Sequence, residues 1–362
     1  VEAGQRARVI RRLVEACAFF SAAFLLAELP ARGADTAPRP VGVVDLHVDL
    51  SYEHNYKNHP FAEGTGQFRA VDLERAGVVG VVLPLYVPRR VSPSGPRLED
   101  FESSYAKVYG ALASTSPYRL PGCVPRNGGV RTWLAFEGVG ALAGDAWVEV
   151  DGVKTPRSLF GWAARGVRVL GPVHVFKNEL ASSSGDAPPA DFGLTPKGRD
   201  LVRAASRLGI VVDVSHASDR AAKEILALAA ENGSPVVATH SNARALADHP
   251  RNLRDPELRA IAKSGGVVGV NFHSAFLTRN QTATLADVVR QVKYLVDLVG
   301  PEHVAIGSDF EGEIRPPAEL ADAEGYQKLA RALVQAGVPK DTVEAVFAKN
   351  ALRVLCKSGV RD

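Results

Sequence analysis

The chain has 362 residues, 46 % hydrophobic and 23 % charged, a balance ordinary for a soluble globular protein and enough for a sizeable core. Its formal net charge of +3 is too small to speak for a nucleic-acid partner, and no basic stripe interleaved with aromatics supplies one. Three cysteines, Cys17, Cys123 and Cys356, lie far apart without a CxxC spacing, so neither a zinc knuckle nor a disulfide framework is signalled.

Residues 1–40 read as a leader and 41–362 as one domain. Arg6, Arg8, Arg11 and Arg12 precede an apolar stretch from Ala16 to Ala27, and small and Pro-rich residues follow through Pro40. Basic, apolar, then small is the order of a secretory signal peptide, and the stretch is too short for a comfortable membrane span. Glu15 and Glu28 bracket it, and an extra amphipathic helix is the competing reading. The expectation is export to the periplasm or cell envelope if residues 1–33 are a signal peptide, and a cytoplasmic location otherwise.

From Val41 onward short β-branched runs alternate with helical patterns. The runs Val41–Leu50, Gly80–Val87, Val130–Glu137, Val167–His174, Ile210–His216, Pro235–His240, Val267–His273 and Val304–Asp309 read as strands. Thr195-Pro196, Ser218-Asp219 and Asp255-Pro256 open helices, and Gly209, Gly233 and Gly265-Gly266 close them. About eight apolar strands alternating with helices predict a closed (β/α)8 TIM barrel. An open doubly wound sheet would show a Gly-rich phosphate loop after its first strand, where this chain has His47-Val48-Asp49. The loop Pro88–Pro96 and the Ser/Pro-rich stretch Ala181–Pro189 read as flexible covers over the barrel mouth.

The strand ends carry the chemistry. His47 and Asp49 are two apart and share a face of the first strand. Glu137, His174, His216, His240 and Asp309 end the third, fourth, fifth, sixth and eighth. In a barrel these ends converge on one mouth, and imidazole with carboxylate suits zinc and its first-row neighbours. Each residue alone has an ordinary reading: a hydrogen-bonded structural histidine, a helix cap for Asp49 or Asp309, a solvated loop carboxylate for Glu137, a surface side chain for Arg251. Their conjunction is costly without a cation to balance it. His54, His59, His249 and His303 fall in loops or at helix edges and read as surface histidines.

Eight segments then carry a resemblance that spans most of Val41–Gly359. They are Asp45–Leu50, Phe136-Glu137-Gly138, Leu170–His174, Asp213–Ser218, Thr239–Ala243, Arg251-Asn252-Leu253, Gly307–Gly312 and Asn350–Arg353. In order and spacing they resemble the membrane dipeptidase (renal dipeptidase) family of amidohydrolase-like barrels. The resemblance implies two Zn2+ ions, one held by His47 and Asp49, the other by His216 and His240, with Glu137 bridging them. It implies His174 as donor to the developing oxyanion, Asp309 as the group that shuttles a proton from water to the leaving amine, and Arg251 as the clamp on the substrate carboxylate. His273 departs from the pattern, standing where the mammalian enzyme has a substrate-contacting tyrosine, which bears on substrate preference. The implied substrate is a dipeptide, including those with a C-terminal D-residue. An N-acyl amino acid or another small amide or lactone is the alternative, and an inactive metal-binding scaffold the reading from another class. A homodimer is implied as well.

Overall fold

The computed structural model describes residues 40–362 apart from 62–65, 93, 115–116, 121, 124–127, 188–189 and 358–362. The leader therefore lies outside the described residues. Eight parallel strands follow one another: β1 (Val43–Asp45), β2 (Val78–Leu85), β3 (Val130–Glu137), β4 (Val167–Gly171), β5 (Val211–Asp213), β6 (Val236–Val237), β7 (Val268–Val270) and β8 (Val304–Ile306). The ladder runs β7-β8-β1-β2-β3-β4-β5-β6, and a parallel bridge from Ala238 to Val268 closes it between β6 and β7. This is the expected (β/α)8 barrel, with a short strand (Tyr118–Arg119) added beside β3 and an antiparallel hairpin (Trp147–Val150 with Val153–Pro156) inserted before β4.

Inward side chains of the barrel, among them Val44, Val82, Trp133, Val169, Val211 and Ala305, form a separate small core. Its floor is the last helix, Asn350–Lys357, which adds Ala351, Val354 and Leu355 to that core. Two of the residues that carried the resemblance hold this floor in place. Asn350 Nδ2 donates to the carbonyls of Pro301 and Val304, and Arg353 donates to those of Gly265 and Glu302. They satisfy carbonyl groups around the starts of β7 and β8, a structural role far from the mouth.

The helix starts at Thr195 and Ser218 follow expectation, each hydroxyl accepting the backbone N–H three residues on. Asp255 does not cap its helix. Arg254 holds the N-cap position without a side-chain bond, and Asp255 sits in the first turn, accepting from the Tyr294 hydroxyl.

The strands are shorter than their sequence runs. Of Val41–Leu50 only Val43–Asp45, and of Pro235–His240 only Val236–Val237, form continuous strand, with single bridges at Val48 and Ala238 beyond them. Past these points buried carboxylates replace strand neighbours as acceptors. Asp45 accepts from the backbone N–H of His47 and Ser308, and Asp213 from those of Ser215 and Thr239. The chain thereby leaves the ladder without leaving its amides unpaired, and side chains gain room at the mouth.

The cysteine expectation is corrected: Cys123 and Cys356 form a disulfide, with Cα atoms 5.4 Å apart and 233 residues between them in sequence. It ties the segment before β3 to the floor helix. Reducing it or making Cys356→Ser is expected to cost about 2–4 kcal/mol. A fall of several degrees in the unfolding midpoint, with activity of the folded protein kept, is the measurement.

Candidate metal centre

The seven strand-end residues converge on one point at the mouth. Glu137 Oε1 lies 3.1 Å from His216 Nε2, 3.6 Å from His47 Nε2, 3.6 Å from His240 Nε2 and 3.7 Å from His174 Nε2. His47 Nε2 is 3.4 Å from Asp49 Oδ2 and 4.0 Å from Asp309 Oδ1, and the Nε2 atoms of His216 and His240 approach to 3.0 Å. The ordinary readings of the carboxylates fail on burial and direction. Glu137 is 7 % exposed, and Asp49, at the N-cap of helix Leu50–Lys57, makes no capping bond. No helix begins at Asp309, whose Oδ2 accepts from Asn271 Nδ2 at 3.0 Å.

Electrostatics follow from burial. Burial, with the Arg251 charge nearby, holds His216 and His240 well below the usual imidazole range and brings His174 down to about 3, so these rings are neutral at pH 7. For His47 burial acts the same way, but the adjacent Glu137 and Asp49 carboxylates outweigh it and push the ring up to about 10. Burial raises Glu137 to about 8 and Asp309 to about 7.

Three sets of potential ligands share the centre: His47, Asp49 and Glu137; Glu137, His216 and His240; His47, His240 and Asp309. Neutral imidazole nitrogens and carboxylate oxygens aimed at each other across 3–4 Å are a donor set that a divalent cation would hold together. Glu137 belongs to two of the sets, the position a shared carboxylate needs. Ring orientation is fixed from behind. Thr239 Oγ1 donates to Asp213 Oδ2 and so accepts from His240 Nδ1–H at 2.8 Å, which leaves His240 Nε2 as a lone pair facing the centre. Thr239→Val keeps the shape and removes this relay. It is expected to weaken metal binding about 10- to 100-fold, read by zinc titration against a competing chelator.

Two site residues sit in strained backbone, His216 at φ 69° and Asp309 at φ 67°. The supposed cover Ala181–Pro189 restrains the first of them. Ser184 N–H donates to the His216 carbonyl at 2.8 Å, and the Ser183 and Ser184 hydroxyls donate to it as well. Ser182 and Ser183 are buried, so residues 181–187 are a pinned brace rather than a flexible cover; Pro188 and Pro189 lie outside the described residues. The Pro88–Pro96 loop does flank the mouth.

A cavity of about 330 Å³ opens over the centre, lined by Glu137, His174, His216 and Asp309 and also by Arg251 and His273. Arg251 is 8 % exposed, which removes its reading as a surface residue. Its Nη2 donates to the His240 carbonyl at 3.2 Å, and among the described residues no carboxylate lies within ion-pair reach of it. His273 Nδ1 accepts from Arg315 N–H at 3.0 Å, placing the proton of the neutral ring on Nε2.

Five residues here went unassigned from sequence: Asp45, Asp213, Thr239, Asn271 and Tyr86. Tyr86 half-covers the cavity with its ring 4.4 Å from that of His174. The available signal was Asp45 and Asp213, since a carboxylate closing a buried apolar run is too costly to be idle.

A closed (β/α)8 barrel with imidazoles and carboxylates gathered at the C-terminal ends of its strands defines a metal-dependent hydrolase. The membrane dipeptidase family (peptidase family M19) matches residues 38–359. The chain belongs to that family of metallo-dipeptidases. A protein from the pqqA 5′ region of Klebsiella pneumoniae is 40 % identical over 228 residues, 61 % of this chain and 79 % of that one. A dipeptidase of Claviceps purpurea is 32 % identical over 191 residues, 52 % of this chain and 44 % of its own length. The chain spans about half the length of the curated dipeptidases it matches. The crystal structure of a Rhodobacter sphaeroides metallopeptidase superposes with a TM-score of 0.73 at 26 % identity, covering 88 % of this chain and all of that one. That protein was crystallised with a phosphinate mimic of L-Ala-D-Ala.

Proposed function

We propose that the chain hydrolyses the amide bond of dipeptides, including those ending in a D-residue, with two zinc ions as cofactors. His47 and Asp49 would hold one ion, His216 and His240 the other, and Glu137 both. The bound pair would lower the pKa of water and polarise the amide carbonyl. The observation that carries the substrate reading is Arg251, a buried guanidinium lacking a carboxylate partner among the described residues and facing the cavity beside the cluster. A planar fork in that position suits a free substrate carboxylate.

With the carboxylate on Arg251, the reacting carbonyl falls near His174, whose neutral ring donates to the developing oxyanion. Asp309 lines the cavity beside the cluster, its Oδ2 held by Asn271 Nδ2, the place of a group that moves a proton between water and the leaving nitrogen. It takes a proton as the water oxygen bonds to the carbonyl carbon and gives it to the nitrogen as the C–N bond breaks. The products are a carboxylate and a free amine. His273 Nε2–H offers a donor of shorter reach than a tyrosine hydroxyl on the same cavity wall. The R. sphaeroides protein's ligand supports including D-residues. The disulfide supports an oxidising compartment, hence export. No helix among the described residues is long and apolar enough to cross a membrane.

The test is a panel of L,L- and L,D-dipeptides, N-acyl amino acids and the matching C-terminal amides, with metal content measured alongside. Cleavage confined to free carboxylates, lost on chelation and restored by zinc, is expected. Equal cleavage of amides or lactones, or activity that survives chelation, overturns the reading.

A further inference from the structure

Next to the catalytic cavity lies a larger one of about 850 Å³. The two share three lining residues, Tyr86, His174 and Val175, so they adjoin across the Tyr86–His174 ring pair. The far walls come from Arg89 and Ser94–Glu99 on one side and from Gly138–Gly144 and Phe176–Glu179 on the other, with Lys197 alongside. None of the Arg251, His273 and Phe276 group lines this second space.

Its charge is lopsided. Four cations line it, Arg89, Arg97, Lys177 and Lys197, against two carboxylates, Glu99 and Glu179. Arg97 is paired with Glu99, and Lys197 donates to the Ala143 carbonyl at 2.5 Å. Arg89 and Lys177 make no ion pair among the described residues; the Arg89 guanidinium lies 3.9 Å from the centre of the exposed Phe176 ring. Two cations without an ion pair among the described residues, and an aromatic surface, therefore line a space that opens off the reaction site.

The direction of a bound substrate follows from the reading above, on which this inference rests. With its carboxylate on Arg251 and its carbonyl beside Glu137 and His174, the acyl half leaves the catalytic cavity past Tyr86 and Val175. We propose that the larger cavity is a subsite for the acyl side of the substrate, selecting a long group that ends in an anion. The class is a dipeptide with an acidic N-terminal residue, or an amino acid acylated by a dicarboxylic acid. A small acyl group reaches only Tyr86, whereas a carboxylate a few bonds further on meets Arg89 and Lys177. The contact is partly solvated, so its selectivity is moderate and falls with salt.

The zinc-loaded enzyme is assayed on pairs that differ only in the acyl end: Glu-Ala against Gln-Ala, and glutaryl-alanine against valeryl-alanine. The acidic member is expected to have about tenfold higher kcat/KM at low salt. In the Arg89→Gln/Lys177→Gln double variant that ratio is expected to fall close to one. A steric variant reads the same space independently of charge. Gly144 lines the cavity and a Cβ there meets nothing within 4 Å, so Gly144→Trp adds bulk at this wall without a clash at the Cβ. It is expected to penalise Glu-Ala and glutaryl-alanine about tenfold relative to Gly-Ala. Equal rates for acidic and neutral partners in the wild type, or ratios that neither variant moves, overturn the subsite while leaving the dipeptidase reading intact. Failure to cleave any of these carboxylate-bearing amides overturns both.

Discussion

Glu137→Gln protein is expected to keep its fold and lose its metal. The substitution preserves size and shape, and Glu137 ends β3 with its backbone paired to Gly171 of β4, so nothing in the barrel need move. What changes is charge. One carboxylate oxygen stands within 3.7 Å of four imidazole nitrogens, and it belongs to two of the three candidate ligand sets. At about 4 Å and an effective dielectric of about 20, one unit charge facing another is worth about 4 kcal/mol, roughly a thousandfold in affinity, and a divalent ion feels more. An amide oxygen offers little of that to either cation. On the two-ion proposal, the metal-to-protein ratio after dialysis should fall from two towards zero, with kcat/KM reduced by at least about a thousandfold. His174→Ala is the contrast, since His174 belongs to none of the ligand sets. That variant is expected to keep its metal and lose kcat, by roughly 10²–10³, the cost of one oxyanion donor. If Glu137→Gln retained full metal and activity, the shared-carboxylate arrangement would be wrong.

Much of this site was legible because a parallel barrel converts sequence position into spatial convergence. Once eight strands are found, every strand end points to one mouth, and His47, Glu137, His216 and Asp309 need no contact information to be placed together. The identity of the residues behind them was less legible. Asp45 and Asp213 stand at the ends of apolar runs and carry part of the backbone bonding of the mouth. Their burial cost is readable in sequence, but which amides they satisfy depends on where the ladder stops, and strand ends are set by tertiary contacts. Tyr86 looked like any aromatic strand residue, because tyrosine is favoured in sheets whatever it faces. The Ser/Pro composition of Ala181–Pro189 suggested mobility. Serine hydroxyls serve water or backbone carbonyls equally well, and here two of them serve the carbonyl of His216. The disulfide between Cys123 and Cys356 spans 233 residues, and spacing carries no information at that range.

Arg251→Ala should separate substrate recognition from metal chemistry. The guanidinium is buried, and burial lowers its pKa although Asp309, Glu137 and Asp213 partly offset that, so the protein bears a desolvated cation that a substrate carboxylate would stabilise. Losing one partner of a buried charge pair costs about 2–5 kcal/mol, so kcat/KM for dipeptides should drop about 30- to 5,000-fold, chiefly through KM. For the matching C-terminal amides, which offer no carboxylate, wild type and variant should be alike. Arg251→Lys restores the charge without the fork and should recover only part of the loss. The electrostatics add a second signature. Arg251 is among the groups that hold the His174, His216 and His240 rings low, so removing it lets all three take protons more readily. In the metal-free protein the protonation of these rings, followed by NMR, should therefore move to higher pH. Because Arg251 also donates to the His240 carbonyl, metal content must be measured in the same samples. Unchanged metal with a raised KM assigns the loss to the substrate, whereas lost metal would mean that Arg251 acts through His240 and that the carboxylate clamp lies elsewhere.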